Sequence, residues 1–198
     1  SSAASDVYKR QAPEKGVSAI AVAGLAISHL QRKGWHGAIA KGKQRGTSNI
    51  GVIHGGAATN VVCDAVELRI EARSHDSEFR QRIVSEIEAA FREAATQVSN
   101  DAGHTATVSF DGRLDYESFR LPADSATVQV ASRAVAACGG TPVPSISNGG
   151  LDANWLSARG IPTVTLGCGQ RNQHMKTEWL DVPEYRLACR IARELATV

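Results

Sequence analysis

Several absences narrow the sequence before any motif does. No run of about 18 apolar residues is present, so no segment has the length of a membrane-spanning helix. No charged stretch followed by an apolar one ends in a small-residue cleavage site, so no signal peptide is expected and the expected location is the cytoplasm. The four cysteines, Cys63, Cys138, Cys168 and Cys189, lie far apart without a C-x-x-C pair. That spacing excludes a disulfide framework and a cysteine zinc cage, and buried free thiols are expected instead. Charge of one sign is also missing: 22 basic residues face 20 acidic ones. The one basic cluster, KGKQR at 41–45, sits in a Gly-rich stretch without interleaved aromatics. A counterion-releasing partner needs a larger basic face, so nucleic acid is not an expected partner. Internal repeats and low-complexity tracts are absent as well.

What is present is 198 residues of 42% hydrophobic composition, enough for one large domain or two small ones. The opening SSAASDVYKRQ (1–11) resembles translated sequencing-library adaptor and is set aside as a non-native leader, the alternative being a disordered tail. From Gly16 to Lys33, Val17, Ile20, Ala21, Leu25 and Leu30 fall near helical spacing, and Gly34 supplies a stop. IGVIH (50–54) reads as a short strand and GGAAT (55–59) as a turn. Residues 65–73 alternate, with Val66, Leu68, Ile70 and Ala72 on one face and Glu67, Arg69, Glu71 and Arg73 on the other. Asp76 is placed to cap a second helix whose stripe runs through Phe79, Ile83, Ile87, Ala90, Phe91, Ala94 and Val98. Alternation through Ala106, Val108 and Phe110 predicts a further strand at 104–111. Two helices would then cover one face of an antiparallel sheet within 12–115.

Beyond a linker at Tyr116–Pro122 the pattern changes to a helix at 125–137, a strand at 142–147, a short helix at 152–158, a strand at 162–166 and a last helix from Pro183. Alternating helices and strands build parallel sheets covered on both faces. Two such strands would leave both edges bare and could not bury three helices, so 116–198 is expected to need strands from elsewhere.

Chemistry concentrates in NGGLDANWLSARGIPTVTLGCGQRNQHMKTEWL (148–180), where turn glycines, an acid and a histidine share a loop-rich stretch. His174 could bind a metal through a neutral imidazole or stand silent in solvent. Glu178, four residues on, reads either as its outer-shell partner or as a surface charge.

The stretches APEKGVSAI (12–20), NIGVIHGGAATNVV (49–62), LRIEARSHD (68–76), SNGGLDANW (147–155) and GIPTVTLGCGQRNQH (160–174) resemble, in order and spacing, the co-catalytic zinc peptidases of the peptidase T, carboxypeptidase G and aminoacylase family. The wording is most similar to peptidase T-like members. The resemblance implies an α/β protein: a ferredoxin-like α+β lid (dimerisation) domain at 12–115, without its first strand, then the C-terminal part of an α/β catalytic domain at 116–198. It implies two zinc ions in the complete enzyme, a peptide or N-acyl amino acid substrate, and a homodimer formed through the lid.

By the same resemblance His174 is one zinc ligand, in a site where metals activate a shared water and polarise the scissile carbonyl. Asn60 corresponds to the lid asparagine that holds the substrate near the developing oxyanion, and Arg73 to the lid arginine that grips a substrate carboxylate. Gly149, Gly150 and Asp152 correspond to the substrate-side loop. Each has a plainer alternative: turn satisfaction for Asn60, a cross-strand ion pair for Arg73, a tight turn with a helix cap for the loop. The family's other metal ligands and its glutamate base belong to a preceding segment, so this chain is expected to be an inactive fragment. Two other functions compete. One is a non-catalytic homodimerisation module; the other makes Cys168 a nucleophile with His174 as its base.

Overall fold

The structure, a computed structural model, describes residues 12–147 and 149–197; residues 1–11, expected to be a non-native leader, lie outside the described residues, as do Asn148 and Val198. The chain divides into two compact units, Ser1–Arg113 and Leu114–Val198.

In the first unit, helix α1 (Ala19–Lys33) begins where the Ser18 side chain accepts the Ala21 N–H and ends where Gly34 turns left-handed, φ 67°. A residue without Cβ enters that conformation freely, which is why the helix stops there. Its buried face is Val22, Ala23, Ala26 and Leu30, not the whole stripe read from spacing: Ile20 and Leu25 are 51% and 41% exposed. The alanines present little bulk, and on this face α1 packs against helix α2 (Ser77–Gln97). Asp76 caps α2 by accepting from the backbone N–H groups of Glu78 and Phe79. The expected stripe is buried from Phe79 to Ala94.

The sheet is antiparallel in the order β1 (Gly37–Lys41), β2 (Gln44–Gly55), β3 (Val66–Arg73). The strand expected at 50–54 is the end of a longer one, and β1 was not foreseen. The basic cluster KGKQR forms the β1–β2 hairpin turn, with Gly42 at φ 60°. Alternation in β3 holds throughout: Val66, Leu68, Ile70 and Ala72 are half-buried against the helices, and Glu67, Arg69, Glu71 and Arg73 are exposed. Phe79, Leu30, Ile39 and Ile83 are fully buried between helices and sheet. Trp35 stacks obliquely on Phe79 at 6.1 Å, and its carbonyl accepts the hydroxyl of buried Ser48.

The strand expected at 104–111 does not form; only an isolated bridge, Ser99 to Thr105, is present. Ala106 and Val108 still pack on the core. Their side chains found the apolar layer, but a strand also requires a neighbour to complete its backbone ladder.

The second unit holds α3 (Ala126–Ala137), α4 (Asp152–Ala158), a two-residue pair β4 (Gln170–Arg171) and β5 (Trp179–Leu180), and α5 (Val182–Ala196), capped by Asp181. Helix positions follow the sequence. The strands expected at 142–147 and 162–166 are absent, in keeping with the unsupported edges a lone parallel pair would carry. Among the described residues its buried hydrophobics are Ala131, Ala134, Ala153 and Ile191. The thiols also differ from expectation: Cys63 is buried, whereas Cys168 and Cys189 are exposed. Among the described residues no helix is long and apolar enough to cross a membrane.

Candidate functional site

Within the first unit Asn60 lies exposed in the turn that follows β2, beside the Val61 N–H to Ala58 C=O bond that closes it. Arg73 ends β3 on the solvent face, opposite Thr47. Its guanidinium meets Glu71 at 2.9 Å along the same strand. Alternate residues of one strand share a face, so the Glu-Arg-Glu-Arg run pairs lengthwise, as Arg69 does with Glu67. These are exposed pairs, and each contributes little to stability.

In the second unit the Gly149 N–H bonds the Ser147 hydroxyl, and a Cβ on Gly150 would overlap the Tyr116 ring. Asp152 does not cap α4; Leu151 occupies that position and Asp152 is the first helical residue. There its charge sits favourably at the positive end of the helix dipole. The cap work falls to Asn154, whose carbonyl accepts the Leu151 N–H at 3.0 Å while its amide donates to the Glu117 carbonyl at 2.8 Å. Asn154 is 7% exposed, the polar residue that ties the glycine loop to the 116–117 segment. Sequence reasoning missed it because Glu or Gln usually marks this helix position and the cap itself is a leucine.

His174 stands at the apex of the loop that β4 and β5 close, with φ 64°. Its backbone N–H donates to Glu178 Oε2 at 2.9 Å, and Glu178 Oε1 accepts the Gln170 side-chain amide. The Gln170 bond first, and the His174 N–H second, hold the Glu178 carboxyl below its ordinary range. Glu178 therefore meets the histidine through the backbone, which neither sequence reading anticipated. Cys168 precedes β4, and among the described residues no hydrogen bond joins it to His174.

A metal would find one suitable donor here, the exposed His174 imidazole. Protein zinc sites need three or four ligands. Among the described residues no three His, Cys, Asp or Glu side chains come together, so these residues do not complete a metal site.

Residues 10–99 match the M20 peptidase dimerisation domain, and the chain belongs to that peptidase family. It is 36% identical to the aminopeptidase PepT of Bacillus cereus, with a TM-score of 0.68, covering 93% of this chain and 47% of that one. Against a tripeptidase of Staphylococcus aureus the values are 32% identity and a TM-score of 0.75, covering 92% of this chain and 46% of that one. The Bacillus subtilis protein YqjE, uncharacterized, is 37% identical over 172 residues, which are 87% of this chain and 43% of that protein. A fourth relative, the YXEP protein of Bacillus subtilis, is a dinuclear metal-binding M20 peptidase, 25% identical with a TM-score of 0.58, covering 91% of this chain and 46% of that one. The chain thus spans somewhat under half the length of these relatives.

Proposed function

We propose that these residues supply the lid and the C-terminal part of the catalytic domain of a zinc-dependent, peptidase T-like hydrolase of short peptides or N-acyl amino acids, working as a homodimer. The observation that carries this reading is that likeness to an aminopeptidase and a tripeptidase extends across both units, over 93% and 92% of the chain. A lid alone would account only for the first.

In this reading unit one is the ferredoxin-like lid and unit two the end of the catalytic domain. His174 donates an imidazole nitrogen to one of two zinc ions, which when bound supply an activated water and a polarised carbonyl. Arg73 receives the substrate carboxylate, exchanging or sharing its bond to Glu71. Its planar fork suits that bidentate contact better than a lysine would. Asn60 offers an amide N–H to the oxygen on which charge develops, and its exposed turn leaves that group accessible. Gly149 and Gly150 bring backbone close to the substrate, with Asp152 beside them.

The test is hydrolysis of tripeptides, dipeptides and N-acyl amino acids by the product of the source gene, before and after dialysis against a chelator. Loss on chelation, recovery with zinc and loss in His174→Ala are expected. Chelator-insensitive cleavage, or full activity in His174→Ala, would overturn the reading. A second reading, a non-catalytic homodimerisation module, draws on the lack of a three-ligand cluster among the described residues and on the dimerisation-domain match. A stable dimer by sedimentation without metal-dependent hydrolysis would favour it.

A further inference from the structure

We infer that Glu178 is the positioning residue of His174, its carboxylate holding the histidine backbone in the left-handed conformation that presents the imidazole at the loop apex. The inference rests on the reading of His174 as a metal ligand for its functional meaning, and on the loop's own geometry for everything else.

A histidine at φ 64° occupies a region that residues with a Cβ enter only when their surroundings fix them there. Asn172, at φ 54°, is of a type that tolerates this conformation and is braced by its own side chain, which reaches the Thr177 carbonyl. His174 lacks that local remedy, and its backbone N–H goes to Glu178.

Glu178 is well placed to impose the conformation, because it immediately precedes β5 and its start is set by the β4–β5 register, Gln170 to Leu180 and Arg171 to Trp179. One carboxylate oxygen takes the side chain of Gln170 at the foot of the loop; the other takes the N–H of His174 at the top. The same group thereby ties foot to apex. Two backbone turns, Met175 N–H to the Asn172 carbonyl and Glu178 N–H to the Met175 carbonyl, complete the path between them. Since the contact uses the backbone N–H, it leaves both imidazole nitrogens out of the bond and available to an outside ligand.

Chemistry predicts which substitutes work. Alanine removes both bonds. Glutamine keeps one acceptor oxygen, which can serve the His174 N–H while the Gln170 contact is given up. The experiment is amide hydrogen exchange and nuclear magnetic resonance on the labelled chain, with Glu178→Ala, Glu178→Gln and Gln170→Ala, each also melted thermally. In Glu178→Ala the His174 amide should exchange roughly tenfold faster, the order expected from loss of one charge-assisted hydrogen bond. Glu178→Gln should recover most of the protection, and Gln170→Ala should keep it even where its melting temperature falls as far as that of Glu178→Ala. Wild-type exchange at His174 in Glu178→Ala, or equal loss in Gln170→Ala, would overturn the assignment.

Zinc titration of the product of the source gene, followed at the His174 ring resonances, separates this inference from the reading it rests on. A ring that responds in the wild type and more weakly in Glu178→Ala supports the positioning role. An equal response in both, despite the lost amide bond, overturns it. A ring indifferent to zinc in the wild type, with the amide results intact, removes the metal-ligand reading and supports the backbone assignment alone.

Discussion

Phe79 touches both halves of the first unit's core, being fully buried under α1 and the sheet with Trp35 against its ring. Phe79→Ala should destabilise that unit by about 3–5 kcal/mol in denaturant unfolding, combining lost transfer energy with the cavity left behind. A loss under about 1 kcal/mol would show that the core collapses around the gap. Gly150 makes a different demand, since any Cβ there runs into the Tyr116 ring. Gly150→Ala is expected to cost roughly 1–3 kcal/mol, the usual penalty for overpacking. Combining it with Tyr116→Ala should give less than the sum of the two single changes; strict additivity would mean that the ring does not set the glycine requirement. Single residues with strong local rules were legible in the sequence, as Gly34 and Asp76 illustrate. Asn154 was not, because its role depends on the carbonyl of Glu117, distant in sequence.

At the scale of the element, α2 shows how one cap couples a helix to pH. The Phe79 N–H above all, then the Gln44 amide, hold the Asp76 carboxyl below its ordinary value of 3.8. A folded value lower than the unfolded one means that the contribution is complete above 3.8 and disappears as pH falls through the folded value. Asp76→Ala should lower the melting temperature of the first unit by a few degrees at neutral pH and much less in strong acid. Asp76→Asn keeps an acceptor that does not titrate, so it should melt near the wild type at neutral pH and lose this part of the acid sensitivity. An unchanged acid slope in Asp76→Asn would assign that sensitivity to another group. Helices were read well from sequence because their hydrogen bonds are internal; α2 needed only its periodicity and the Asp76 cap. Strands were read less well, for the pairing that makes them lies outside the segment. Thus 66–73 formed beside β2, while 104–111, with equally clear alternation, gained only one bridge.

Across the whole molecule, the apolar side chains are unevenly invested. Among the described residues the first unit buries Trp35, Phe79, Phe91, Leu30 and three isoleucines in a continuous cluster, whereas the second buries three alanines and Ile191 as its apolar core. Larger apolar residues of the second unit remain open, with Val143 76%, Ile146 61%, Ile161 52% and Trp155 50% exposed. Burial of apolar area is the main favourable term in folding, and alanine offers little of it. The two units should therefore open with different free energies, the second well before the first. Hydrogen exchange read by mass spectrometry should find the amides of α2 among the slowest in the chain, and those of 142–147 and 162–166 among the fastest. The proposed function adds a direction to this. If the second unit is the end of a catalytic domain, the same two segments should become protected in the product of the source gene, where further strands can cover them. Protection of 142–147 in this chain already equal to that of α2 would overturn the uneven division. Protection unchanged in the gene product would count against a catalytic domain completed from elsewhere, and for a pairing module whose second unit stays loosely held.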